Sequence, residues 1–233
     1  VLELGGSDPF IVLEDADIDF TCSLAGKARL QNTGQSCIAA KRFILVESIA
    51  EKFLEQYKAG FEATVVGDPM KEDTTMGPLA TESIRDEIAD QVKKSVEMGA
   101  TILTGGSIPK VEGLESGYFY QPTILVDLKK GMPAYDDEIF GPVASVIIVK
   151  DEDEAIAVAN DSIFGLGSSI WTQDLKKAEE LAARIESGAV FINGMVKSDP
   201  RLPFGGIKKS GYGRELSHYG IKEFVNVKTV WIK

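Results

Sequence analysis

Histidine is almost missing from this chain of 233 residues: His218 stands alone. That excludes His-rich metal sites and leaves a Ser-His-Asp triad improbable, so any enzymatic base must be another residue type. Cysteine is scarce as well, limited to Cys22 and Cys37. Two cysteines make a poor disulfide framework, and the cytoplasm, the simplest compartment for such a chain, keeps thiols reduced. No apolar run approaches the roughly 20 residues that span a bilayer, and the start does not read as a signal peptide, so no membrane partner is expected. Basic residues are outnumbered, 25 against 36 acidic, for a formal net charge of −11. Such a surface repels phosphate backbones and argues against nucleic acid.

The hydrophobic content is 44%, ordinary for a globular protein, and a chain this long buries a core without staples. Asp15 or Asp17 can cap a helix through the twenties, with Gly34 as its stop. R-F-I-L-V, Arg42–Val46, reads as a buried strand. Ile49, Phe53, Leu54, Tyr57 and Phe61 form a helical stripe, and a second helix spans Thr81–Glu97. Strands are expected at Ala100–Leu103, Thr123–Val126, Val143–Val149, Ser168–Trp171 and Ala189–Ile192, with helices at Glu152–Asn160 and Leu175–Ile185. This alternation implies an α/β domain with a largely parallel sheet. The closing F-V-N-V-K-T-V-W-I alternates like an edge strand, able to pair with another subunit or a further part of the fold. No repeat or linker divides the chain, so residues 1–233 read as one domain.

Cys37 sits in Q-N-T-G-Q-S-C, a polar bend between helix and strand where free backbone N–H groups can stabilise a thiolate. It reads equally as an inert packed thiol, which is the reading for Cys22 on an apolar helical face. In L-E-L-G-G, Leu2 and Leu4 share one side of a strand and Glu3 takes the other, beside a glycine loop. A carboxyl in a partly apolar setting has its pKa raised and can act as a base near neutrality, although Glu3 also reads as a solvent-facing strand residue. Glu138, in D-D-E-I-F-G-P, could grip ribose hydroxyls and Phe140 could present a ring to a flat cofactor; the bland reading is a charged loop with Phe140 in the core. Pro203–Glu215, P-F-G-G-I-K-K-S-G-Y-G-R-E, has Tyr212 where a P-loop needs lysine and reads as a glycine-rich structural turn. His218 reads as a surface or capping residue.

Together, L-E-L-G-G, N-T-G-Q-S-C, D-E-I-F-G-P-V, N-D-S-I-F-G-L-G, G-A-V-F-I-N and P-F-G-G-I-K-K-S-G-Y-G-R-E resemble the aldehyde dehydrogenase superfamily, collinearly over nearly the whole chain. The resemblance implies that fold: a three-layer α/β catalytic domain with a C-terminal strand, residues 223–233, used in homo-oligomers. It also implies roles. Cys37 matches the nucleophile and Glu3 the general base. Glu138 matches the carboxylate that holds the nicotinamide ribose of NAD or NADP, and Phe140 the aromatic beside the nicotinamide. Glu215 matches a glutamate credited with relaying protons, and Asn193 a structural residue behind the active-site loop. The implied reaction is oxidation of an aldehyde to its acid through a thiohemiacetal and a thioester on Cys37.

Further details, A-A-K-R-F, K-K-S-G-Y-G-R-E-L-S-H-Y-G and K-T-V-W, are similar to bacterial succinate-semialdehyde dehydrogenases. Ser198, six residues before Phe204, falls where such enzymes place a serine that contacts the substrate carboxylate. Another branch has an arginine where this chain has Gln31, which leaves the carboxylate's cationic partner to Lys197 or Arg201. Rival readings are a cysteine thioester hydrolase or acyltransferase without nicotinamide, and a non-catalytic α/β interaction domain. Because the family's dinucleotide-binding half has no counterpart in these residues, the chain reads as a truncated or separately expressed half that does not turn over alone. Isothermal titration of this chain with NAD+ and NADP+ is expected to give no micromolar binding; such binding would refute that expectation.

Overall fold

The computed structural model describes residues 1–233. Its centre is a seven-stranded sheet built from β2 (Pro9–Val12), β3 (Arg42–Val46), β4 (Thr101–Thr104), β5 (Thr123–Val126), β6 (Val143–Val149), β8 (Gly167–Trp171) and β9 (Ala189–Ile192). The order is β4-β5-β6-β3-β2-β8-β9; only the β4–β5 pair is antiparallel. Buried strands that alternate in side-chain direction must cover both faces. Ile11 and Ile44 point to one face, where they pack with Ile88, Val92, Ile156 and Leu181. Phe10, Phe43 and Leu45 point to the other, against Ala28, Phe53 and Tyr57. Helices therefore form the outer layers: α1 (Ile18–Leu30) and α2 (Glu47–Glu62) on one side, α3 (Glu82–Glu97), α5 (Glu152–Asn160) and α6 (Leu175–Ala182) on the other. None is long and apolar enough to cross a membrane.

The expected caps are present. Asp17 accepts the Phe20 N–H at 3.1 Å to start α1, and Thr81 accepts the Ile84 N–H at 3.2 Å to start α3. The stop of α1 departs from expectation: the helix ends at Leu30, four residues before Gly34. Left-handed backbone begins at Asn32 (φ 51°) and continues through Thr33 (φ 58°) and Gly34 (φ 74°), which no α-helix can contain. Leu2 and Leu4 also depart, being exposed where one buried side of a strand was expected, while Glu3 is the half-buried member.

Sequence periodicity gave no sign of several short elements. A one-turn helix α4 spans Pro133–Asp136, and α7 spans Ser217–Glu223. Two small antiparallel ribbons join β1 (Leu2–Glu3) to β11 (Gly211–Tyr212), and β7 (Phe164–Gly165) to β10 (Ile207–Lys208). The expected terminal strand does not form within the chain: residues 224–233 make no ladder, and Val227, Val230, Trp231 and Ile232 are exposed. A strand exists only against a partner, and no edge of this sheet is paired to it.

Gly34 carries a testable constraint. A Cβ there would collide with the Gly141 backbone and crowd Arg29, on top of the left-handed φ. Gly34→Ala is expected to lose on the order of 2 kcal/mol in urea unfolding; an unchanged midpoint would mean that the turn leading to Cys37 is not as described.

Candidate active site

Cys37, Glu3 and Glu138 lie far apart in sequence, yet each precedes a strand of one neighbouring trio. Cys37 is on the loop into β3, Glu3 on the segment into β2, and Glu138 on the loop into β6. Because β6, β3 and β2 are adjacent and parallel, their entrances share one end of the sheet. The sheet gathers the residues; the loops set their angles.

The Cys37 loop is held from inside by buried cations. Lys41, 2% exposed, donates to the carbonyls of Ser36 (2.9 Å), Cys37 (2.9 Å) and Ala39 (3.1 Å). Arg29, fully buried, donates to the carbonyls of Gly34 (2.7 Å) and Ala40 (2.9 Å). Loop carbonyls that no strand pairs are thus satisfied by charge. Lys41 Nζ also lies 3.2 Å from Glu138 Oε1, an ion pair whose angle is too poor for a hydrogen bond. Burial pulls the Lys41 ammonium down to about 8, with Arg29 adding to the effect while Glu138 and Asp8 oppose it. Asp8, equally buried, accepts the Gly167 N–H at 3.0 Å and is pushed up to about 6 by its burial.

Cys37 itself is half-buried. Burial raises its thiol above the ordinary value; Lys41 opposes this, Asp8 and Glu3 add to it, and the Ile38 N–H lowers it. The sulfur therefore rests as a thiol, with the Lys41 cation favouring the thiolate. Cys22 differs: its thiol donates to the Phe53 carbonyl at 3.7 Å and is pushed up to about 12, chiefly by burial. That is a packing thiol.

Glu3 is delivered by the glycine-rich turn. Leu2 pairs with Tyr212 and Glu3 with Gly211, where a side chain would strike the Leu2 carbonyl. Phe204 and Glu215 exchange both backbone hydrogen bonds, at 2.9 and 2.7 Å, closing the turn and bringing Glu215 to Glu3. Burial raises the Glu3 carboxyl above its usual value, and the neighbouring Glu215 raises it further, while Glu3 Oε1 is buried without a hydrogen-bond partner. The Glu3 charge also acts on the Cys37 thiol, which stands at the same end of the sheet.

Glu138 also belongs to this end of the sheet: a Cβ on Gly5 would strike its carboxylate. Phe140, 37% exposed, is a surface ring rather than a core residue. Ser198 and Lys197 are exposed on the loop after β9, whereas Arg201 is bound by its neighbour Asp199 through Nε (2.9 Å) and Nη2 (2.6 Å). Asn193 is structural, but its side chain bonds both backbone groups of Thr172, at the exits of β9 and β8 rather than behind the Cys37 loop. His218 is exposed. The largest groove, about 580 Å³, runs between α1 and α2 and touches Gln31 and Met195 but none of Cys37, Glu3 and Glu138. The chemistry does not sit in it.

Sequence reasoning missed Lys41, Arg29 and Asp8. The available signal was a charged pair, Lys41 and Arg42, set between two alanines and a wholly apolar strand.

A family model described as the aldehyde dehydrogenase family matches residues 1–230. The chain is 53% identical over 232 residues to succinate-semialdehyde dehydrogenase [NADP(+)] of Mycobacterium leprae, covering 100% of this chain and 50% of that protein. It is 51% identical to succinate semialdehyde dehydrogenase [NAD(P)+] of Escherichia coli, covering 99% and 49%. The solved structure of succinic semialdehyde dehydrogenase from Streptococcus pyogenes, in complex with NADP+, is 43% identical with a TM-score of 0.94, over 99% of this chain and 50% of that one. The chain thus spans half the length, 50%, of curated relatives such as the M. leprae protein. A match of that extent and identity decides its kinship: the chain belongs to the aldehyde dehydrogenase family.

Proposed function

We propose that this chain supplies the catalytic residues for oxidation of an aldehyde, with succinic semialdehyde the favoured substrate, to its carboxylic acid with NAD+ or NADP+. The observation that carries the proposal is a half-buried thiol, Cys37, and a carboxyl, Glu3, whose pKa burial raises, at one end of the same sheet. Kinship with succinate-semialdehyde dehydrogenases that use NADP+ or NAD(P)+ supports both substrate and cofactor.

Cys37 attacks the aldehyde carbon as a thiolate, giving a thiohemiacetal. Loss of hydride from that carbon leaves a thioester on the sulfur. Glu3 then takes a proton from water, and the hydroxide releases the acid. The bound nicotinamide would accept the hydride. Two observations fit such a group: Glu138 presents a carboxylate beside Gly5, where any side chain would displace it, and Phe140 leaves its ring open. Glu138 would hold the ribose hydroxyls and Phe140 would flank the ring.

Ser198 and Lys197 are the proposed contacts for the substrate's distal carboxylate. Arg201 is already paired, since Asp199 takes the Nε–Nη2 edge of its guanidinium. The exposed apolar tail from Val225 to Ile232 supports assembly into homo-oligomers, where a strand partner becomes available.

Three expected outcomes follow for a polypeptide of the relatives' full length that carries these residues. Cys37→Ser abolishes aldehyde-dependent reduction of the dinucleotide, whereas Glu3→Gln still yields a burst of reduced dinucleotide and then accumulates thioester. Because Glu3 acts as a base only when ionised, thioester hydrolysis rises with pH through the raised Glu3 pKa, and Glu3→Gln flattens that limb; an unaltered limb assigns the base elsewhere. Lys197→Glu raises KM for succinic semialdehyde roughly tenfold or more with little change for an uncharged aldehyde, while Arg201→Glu has the smaller effect. The reverse order would move the carboxylate contact to Arg201.

A further inference from the structure

We propose that Lys41 is a positioning residue for Cys37: by holding the Cys37 carbonyl it fixes the Cys37–Ile38 peptide beside the sulfur and ties the nucleophile's loop to Glu138. The proposal rests on Cys37 being the reactive thiol. In a trans peptide the C=O and the following N–H point in opposite directions. Lys41 Nζ takes the Cys37 carbonyl at 2.9 Å, so the N–H of the same peptide unit, that of Ile38, faces away from Lys41. The carbonyls of Ser36 and Ala39, held by the same ammonium, fix the units on either side.

Lys41 also pairs by charge with Glu138, whose Oε1 lies 3.2 Å from Nζ. One buried cation thereby sets the relative position of two carriers that approach from different strands, the β3 entrance and the β6 entrance. A neutral side chain of similar length would fill the space but leave three loop carbonyls without their donor. The groups that face this ammonium are Glu138 and Asp8, which hold its proton, and Arg29, which repels it. Those that act on the thiol are Lys41, Asp8, Glu3 and the Ile38 N–H.

The test follows iodoacetamide alkylation of Cys37 by peptide mass spectrometry at about pH 7, where the Lys41 ammonium keeps its charge, with Cys22 as internal reference. In the unaltered chain Cys37 reacts faster than Cys22. In Lys41→Met, the rate at Cys37 falls roughly tenfold while that at Cys22 is unchanged. A folded Lys41→Met protein, judged by circular dichroism, with an unchanged Cys37 rate overturns the proposal and leaves Cys37 as nucleophile untouched. Should Lys41→Met fail to fold, Glu138→Gln decides. It removes the counter-charge but keeps the carbonyl bonds, so near pH 6, where Lys41 keeps its proton, alkylation of Cys37 speeds up severalfold; an unchanged or slower rate overturns the proposal. Equal reactivity of Cys37 and Cys22 in the unaltered chain would overturn the nucleophile assignment itself, and this inference with it.

Discussion

Three buried cations hold the amino end of this sheet together. Arg29, Lys41 and Arg42 are each 2% exposed or less, and all of them spend their donors on backbone carbonyls of loops and of one helix end. Arg29 and Lys41 take the Cys37 loop, while Arg42 takes Ser7 (3.0 Å), Val158 (2.7 Å) and Ala159 (2.9 Å), tying the chain after Glu3 to the end of α5. The Cys37 loop lies outside the sheet ladder, so its carbonyls need donors from elsewhere, and buried cationic side chains supply them. The cost is desolvation of the charges, and Asp8 and Glu138 partly offset it.

Open α/β sheets most often bind ligands beyond the carboxyl ends of their strands. Here Cys37, Glu3 and Glu138 all stand at the opposite end, before β3, β2 and β6. The carboxyl ends of β8 and β9 are instead closed structurally: Asp15 accepts from the Thr172 hydroxyl at 2.6 Å and the Gln173 and Asp174 N–H groups at 3.0 Å each, and Asn193 ties Thr172 across. What favours the amino end is the approach of the chain. Each strand there is entered from a glycine-containing loop, and Gly5, Gly6 and Gly34 let backbone and carboxylate approach more closely than side chains would permit. Gly6, for example, lies against the Cys37 carbonyl and the Asp8 carboxylate.

Those relationships explain what could be read from the amino-acid order and what could not. Repeating patterns were legible: the apolar run of β3, the stripe from Phe53 to Phe61 on α2 and the cap at Asp17 reflect local periodicity and local hydrogen bonding. The proposed site residues Cys37 and Glu3 were singled out mainly because several motifs stood in family order, since neither has a distinguishing local pattern. The stop of α1 was misplaced because Asn32 and Thr33 adopt left-handed backbone, which glycine usually marks and threonine rarely accepts. A strand through Glu3 was legible, but its pairing with β11 and the ribbon β7–β10 were invisible, because two-residue strands separated by tens to hundreds of positions leave no periodic trace. Lys41 went unremarked for a related reason: a lysine before a strand looks like a solvated flank until three carbonyls and a carboxylate converge on it.

The same convergence accounts for a site with so little histidine. A thiol and a carboxyl ordinarily titrate on opposite sides of neutrality, and an imidazole is the usual go-between. Here the Cys37 thiol is raised by burial and by the Asp8 and Glu3 charges and lowered by Lys41, while burial and Glu215 raise the Glu3 carboxyl. In the proposed reaction a carboxyl whose pKa is raised takes the place of the imidazole as base. The buried Lys41 ammonium supplies the positive charge that favours a thiolate, a task an imidazolium would otherwise perform.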